Sequence, residues 1–423
     1  MNRRSISIAF VTLLLASCPL TLAAQDPPAK PLAPANYEVH EWGTFTSMVG
    51  INGIALEGLH HEEEALPAFV HDLLKIDEFE RGDGKMPASR VTQKMETPVI
   101  YFHSQEPLHV QVSVWFRQGL MTQFYPLPDS VSPVLQDARQ QRVDMSKVDG
   151  SSLAWDIDLI PHGAPPPDLP KVDANQPWSF ARQVDAAYVR TRCNNSPARP
   201  ETEQYLFYRG LGRWQPPVTL QAQAGGKASL DNGMKAAIPF VAMLELGARG
   251  GRFVIGQPLA SGARQQFDLG PVAWNSDRER VARELGAHVL QALTAQGLFV
   301  DEARAMVATW SRSWFHKDGA RVIYLLPRQQ IDEVLPLYLE PKPKALVRVL
   351  VGRLEFITGE TQARVEQALR DRAGQDQGLR AAAEATLAEL DRFLEPHLRN
   401  VVAHGADPSV RAAATAMLAS TAR

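Results

Sequence analysis

His109-Val110-Gln111-Val112-Ser113-Val114-Trp115-Phe116 alternates polar and apolar residues, and that period of two puts Val110, Val112, Val114 and Phe116 on one face of a strand. Leu153, Trp155, Ile157 and Leu159 repeat the spacing. Asn52-Gly53, set between Met48-Val49 and Ile54-Ala55-Leu56, signals a hairpin, because both central residues of a type I′ turn need positive φ. Further strands are expected over 39–46, 98–103, 204–209, 218–222, 238–246 and 253–256. The Pro-rich segment 161–177 is excluded from any sheet interior. Short strands punctuated by turns predict an antiparallel, sandwich-like β-rich domain over 37–274.

Beyond Trp274 the period becomes 3.6. Ser276 and Glu279 form the pattern of a capping box, Val281, Leu285, Val289 and Leu293 share one helical face, and Gly297 ends the helix. Ala303, Met306, Val307, Trp310 and Trp314 mark a second helix. Two strand-like runs, 321–326 and 346–357, interrupt, and the chain from Thr361 is Ala-rich and helical with breaks at Pro396 and Gly405. Within it, Asp407-Pro408-Ser409-Val410-Arg411-Ala412-Ala413-Ala414 resembles the second helix of a HEAT-type repeat; a single copy implies a helical hairpin, not a solenoid. The expected fold class is therefore α+β, with an α+β to helical domain over 275–423.

Arg3 and Arg4, the apolar run 6–16 and the small residues Thr21-Leu22-Ala23-Ala24 have the form of a secretory signal peptide over 1–24, followed by a Pro-rich tether over 25–36. This predicts a periplasmic or secreted protein. Leu15-Ala16-Ser17-Cys18 offers the alternative of a lipobox, in which acylated Cys18 is the anchor. No later segment supplies ~20 uninterrupted apolar residues, so the mature chain is expected to have no transmembrane span.

Composition narrows the class. The 423 residues are 45% hydrophobic and 22% charged, which excludes a disordered, collagenous or coiled-coil chain. Lys plus Arg total 44 against 47 Asp plus Glu, so the basic footprint of a nucleic-acid partner is missing. The acidity is local: residues 25–274 carry 22 cationic and 28 acidic residues, residues 275–423 carry 20 and 19. Two cysteines exclude a disulfide scaffold and a Cys-built zinc cluster. Cys193, beside Arg190 and Arg192, has no His partner in the local sequence and is expected to be an inert thiol.

No GxSxG elbow, GxxxxGK[ST] loop, HExxH helix or CxxC pair occurs. The densest polar cluster is His60-His61-Glu62-Glu63-Glu64, with His71 downstream and His40-Glu41 on the preceding strand. Imidazole and carboxylate together suit zinc or another divalent metal in an open site of three protein ligands plus water. If the Asn52-Gly53 hairpin folds the chain back, His40 and His60 approach each other, and Glu63 is the candidate general base for a metal-bound water. Against this, the spacing fits no fixed motif, adjacent histidines on a strand point to opposite faces, and a solvated acidic loop explains the run equally well.

Six of the eight tryptophans, Trp42, Trp115, Trp155, Trp178, Trp214 and Trp274, fall in the β-rich region. Core packing is the default for such residues; an exposed Trp with carboxylates nearby is a sugar-stacking platform. Trp42 and Trp115 are the binding candidates on this ground, with Arg209 as an anion ligand unless a surface salt bridge occupies it.

Val39-His40-Glu41-Trp42-Gly43-Thr44-Phe45-Thr46, Met95-Glu96-Thr97-Pro98-Val99-Ile100-Tyr101-Phe102 and Leu206-Phe207-Tyr208-Arg209-Gly210-Leu211-Gly212 resemble segments of a group of exported bacterial proteins to which no activity is assigned. The resemblance implies an envelope origin and transfers no catalytic residues. Three functions follow as expectations: an exported cell-envelope protein whose β-rich domain binds an envelope ligand or protein partner; a metal-dependent hydrolase around residues 40–71; or a structural or assembly protein.

Overall fold

The strand Ala35–Val49 is buried along almost its whole length although it carries His40, Glu41, Thr44 and Thr46. It lies at the centre of a nine-stranded sheet covered on both faces. The computed structural model describes residues 35–63, 65–74, 88–133, 143–161, 163–193 and 199–421; the leader, Cys18, most of the tether and Glu64 fall outside these. The strand order is Gly250–Ile255, Val241–Gly247, Gly319–Leu325, Pro343–Phe356, Ala35–Val49, Gln93–Ser104, Leu206–Gly212, Gly119–Tyr125 and His71–Asp72. Every pairing in that sheet is antiparallel except that of Ala35–Val49 with Pro343–Phe356.

The alternation in 109–116 is realised. Val110, Val112, Val114 and Phe116 face inward from Leu108–Arg117, and Leu153, Trp155, Ile157 and Leu159 do so from the paired strand Gly150–Ile160. These two strands form the middle of a six-stranded sheet that also includes Leu337–Glu340. This sheet and a three-stranded one, Val218–Gln223, Lys227–Asn232 and Arg264–Asp268, pack against one face of the large sheet. The helices Arg278–Ala295 and Val300–Phe315 cover the other face, where Val281, Leu285, Val289, Met306 and Trp314 meet Trp42, Val99 and Tyr101. The molecule is thus α+β, β-rich in its N-terminal part, with a C-terminal helical group of Gly359–Ala373, Gln377–Ala388, Leu394–His404 and Pro408–Thr421 around its own apolar cluster.

Three local expectations change. The change of period at Trp274 does not divide the main sheet, because Gly319–Leu325 and Pro343–Phe356 enter its middle and residues 35–423 form one compact unit. The helix after Trp274 is capped by Asp277, whose side chain accepts from the Arg280 N–H at 2.9 Å, instead of by Ser276. At 50–53 the chain does turn, but only Gly53 has positive φ (77°), and Asn52 accepts from the Ile54 N–H at 3.1 Å. A single bridge, Val49 to Ala55, follows in place of a ladder.

Candidate functional site

The three motif segments are neighbouring strands. Trp42 pairs with Val99 and Thr44 with Glu96, so the single residue Gly43 stands opposite Thr97 and Pro98 in a bulge. Leu206–Gly212, on the other side of Gln93–Ser104, is irregular at the same level, between Phe207 and Gly210. Thr97 has φ of 45° at this point, and Pro98 offers no N–H to a ladder. Bulges of this kind re-aim side chains.

Side chains from these strands, together with Glu63, Trp178 and Trp310, line a cavity of about 40 Å³. Trp42, Trp178, Tyr205, Phe207 and Trp310 supply its aromatic wall, and Glu63, Glu96, Thr97 and Arg209 its polar wall. Trp42 Nε1, Trp310 Nε1 and Arg209 Nε are buried N–H donors with no hydrogen-bond partner among the described residues, and Thr97 Oγ1 and Glu63 Oε1 are equally unpartnered among them. Leaving one such group unpaired costs about 1–3 kcal/mol.

A buried charge network adjoins this cavity. Glu62 pairs with Lys94 at 2.8 Å and with Arg209. Glu63 pairs with Arg353 at 3.1 Å and Arg392 at 2.8 Å, and accepts from Ser313 at 2.6 Å. Arg392 also holds Glu96, and Glu355 pairs with Arg321 at 2.7 Å and Arg353 at 2.6 Å. Burial alone would raise the pKa of both loop glutamates, but Lys94 and Arg209 hold Glu62, and Arg353 and Arg392 hold Glu63, down at about 2. A carboxylate so acidic and so paired is a poor proton acceptor, so Glu63 does not have the properties of a general base.

The histidines separate into distinct groups. His40 does not approach His60: Gly58 and Leu59 bond to the Val91 carbonyl near the Val49 end of the central strand, on the order of 25 Å of strand away from His40. His40 instead meets His103 and Glu302. His40 Nδ1 is 2.7 Å from Glu302 Oε2 and His103 Nε2 is 3.0 Å from Oε1, under the ring of Phe299. Burial raises the Glu302 pKa, but the hydrogen bonds from His103 and His40 outweigh it and the net shift is downward. His103 Nδ1 also faces the Asp185 carbonyl at 3.1 Å.

His60 and His61 meet Glu395, whose Oε2 lies 3.6 and 3.5 Å from their Nε2 atoms. They sit in a turn and not on a strand, which is why two adjacent imidazoles converge. His71 joins neither group; its Nε2 is 2.9 Å from Glu201 at the sheet edge. Within each of two separate three-residue groups, His40 with His103 and Glu302, and His60 with His61 and Glu395, the ligand atoms lie within 4.8 Å of one another.

Trp42 and Arg209 come together in the cavity. Trp115 does not: it is 52% exposed on the outer face of the six-stranded sheet. The Cys193 sulfur lies 3.4 Å from the Thr191 hydroxyl and 3.6 Å from the Arg199 carbonyl. Glu96, Lys94, His103, Glu302, Trp310, Arg353, Arg392 and Glu395 emerge only in three dimensions. Their one sequence signal is polar residues inside apolar strand or helix patterns, as with Lys94 and Glu96 in a strand that is buried except at Thr97 and His103.

Fold and cavity define an α+β protein with a mostly apolar pocket, polar along one wall, at the centre of a doubly covered sheet. No family model matches the chain, and no curated protein does. Among solved structures, the Mu homology domain of Fcho1 from Danio rerio, with bound Eps15 peptide, aligns over 77% of this chain and 97% of that chain, at 7% identity and a TM-score of 0.28. An overlap of that degree carries no functional argument. Among the described residues, no helix is long and apolar enough to cross a membrane.

Proposed function

We propose that the protein is an exported bacterial cell-envelope binding protein whose pocket takes a small, oxygen-rich ligand bearing a carboxylate. The observation that carries this is that three residues lining one aromatic-walled cavity, Trp42, Trp310 and Arg209, each hold a buried N–H donor with no partner among the described residues. Such donors call for acceptor oxygens, and the aromatic wall suits the apolar face of a compact ligand. Arg209 is the cation in the pocket lining that a carboxylate would meet, and the network behind the wall, Lys94, Arg209, Arg321, Arg353 and Arg392 against Glu62, Glu63, Glu96 and Glu355, holds one cation in excess. The unpartnered Glu63 Oε1 adds an acceptor for a ligand hydroxyl. Export rests on the leader-like sequence over 1–24 and on the motif resemblance.

The test is a thermal-shift and calorimetric panel of L-lactate, D-glucuronate and N-acetyl-D-alanine. At least one should bind the wild type and lose at least ~10-fold in affinity on Arg209→Gln, the loss of one charged hydrogen bond. No binding across the panel, with cooperative unfolding intact, contradicts the proposal. The N-terminus is decided by mass: cleavage after Ala24 leaves Gln25 first, and a diacylglyceryl adduct on Cys18 identifies the lipid-anchored form.

A further inference from the structure

We infer that His60 Nε2, His61 Nε2 and Glu395 Oε2 form a binding site for a divalent cation of the zinc type, separate from the ligand pocket. Ligands around a tetrahedral zinc ion stand about 3.4 Å apart, given metal–ligand bonds of about 2.0–2.2 Å. The two imidazole nitrogens lie 3.6 and 3.5 Å from the same carboxylate oxygen, which is that spacing and is longer than the ~2.9 Å of a good hydrogen bond. Both rings approach from one side, their centroids 4.1 Å apart.

The surroundings hold this arrangement in place. Arg399 donates to the other oxygen of Glu395 at 2.9 and 2.7 Å, which orients the carboxylate and leaves Oε2 toward the histidines. Gly58 has φ of 106°, and a Cβ there would sit 2.7 Å from Glu395 Cγ, so only glycine lets the loop approach the helix Leu394–His404 this closely. The His61 side chain is 29% exposed, against 5% and 10% for His60 and Glu395, so solvent reaches a fourth coordination position from the His61 side. Three N/O protein ligands with one position left to water make a zinc site of the open kind.

The other His/Glu group differs in the way that matters. Its contacts of 2.7 and 3.0 Å are hydrogen-bond distances, both Glu302 oxygens are engaged, and Oε2 also accepts from the Phe299 N–H at 2.7 Å. It is a closed hydrogen-bonded clamp between the central strands and the start of the helix Val300–Phe315.

The full chain, stripped with chelator and dialysed, is titrated calorimetrically with Zn²⁺ alone, and Co²⁺ is added in parallel for its visible absorption. One Zn²⁺ per chain, a melting temperature raised by Zn²⁺, and the absorption of a low-coordinate Co²⁺ site are expected. His61→Ala and Glu395→Gln should each weaken Zn²⁺ by at least ~10²-fold while still melting cooperatively, and His103→Ala should leave the stoichiometry at one. Absence of stoichiometric Zn²⁺ on the wild type overturns the site whatever the variants do. Zn²⁺ retained by His61→Ala and lost in His103→Ala overturns it in favour of the other group.

Discussion

Gly43 and Thr97 face each other across the bulge at the centre of the sheet, so closely that a Cβ on residue 43 would lie 2.5 Å from the Thr97 carbonyl oxygen and 2.9 Å from Pro98 Cα. Both obstacles are backbone, so neither can swing aside. Gly43→Ala should therefore destabilise the fold by about 1–3 kcal/mol, the usual cost of overpacking, as measured by urea unfolding. A loss below ~0.5 kcal/mol would mean that the two strands part easily and that the bulge does not fix the pocket wall.

Arg392 is buried and binds Glu63, Glu96 and the Thr46 hydroxyl from a turn just before the last helical pair. Arg392→Ala leaves two carboxylates without their shared cation in an enclosed site. The expected loss is about 3–5 kcal/mol, the cost of breaking a buried pair from one side. Equilibrium unfolding of the variant at pH 7 reads this directly, and a near-neutral outcome would show that water enters the network freely.

Glu302 predicts an acid-side effect. Its carboxyl pKa is lowered in the folded protein by His103 and His40 against the opposing influence of burial. A depressed folded pKa contributes stability that is fully present above the unfolded value of about 4.3 and is lost as pH falls through the folded value. Unfolding free energy measured from pH 7 down to pH 3 should fall less steeply below about pH 4.3 in Glu302→Gln than in the wild type, and equal slopes would contradict the clamp.

Trp115 lies away from the pocket. It is half exposed on a surface strand, so Trp115→Ser should change stability by less than ~0.5 kcal/mol and leave ligand binding unaltered. A loss of binding in this variant would move the ligand to the outer face of the six-stranded sheet, as a stacking platform.

The legible and illegible parts of this molecule divide along physical lines. The inward set Val110, Val112, Val114 and Phe116 and the helical stripe Val281, Leu285, Val289 and Leu293 follow from local periodicity, which is a property of one segment at a time. The parallel pairing of Ala35–Val49 with Pro343–Phe356 joins residues about 300 positions apart, and periodicity says nothing about which strand finds which. The break in period at Trp274 was visible, but a change of secondary structure is not a change of core. For the site, His60 and His61 stood out as residue types, while their carboxylate partner arrived from Glu395 on a distant helix. Trp42 and Arg209 were legible as candidates for the same reason, and Trp310 was legible only as an apolar helical position although its N–H is one of the three unpartnered donors.

In the binding mode we propose, a carboxylate-bearing ligand meets Trp42 Nε1, Trp310 Nε1 and Arg209 Nε in the buried pocket. The most direct measurement is the ¹H–¹⁵N spectrum of the indole N–H groups during titration with whichever panel compound binds, with peaks assigned through single Trp→Phe variants. A ligand in this pocket should move the Trp42 and Trp310 signals together to saturation while that of Trp115 stays in place. Unmoved Trp42 and Trp310 signals, with Trp115 responding in their stead, would contradict it.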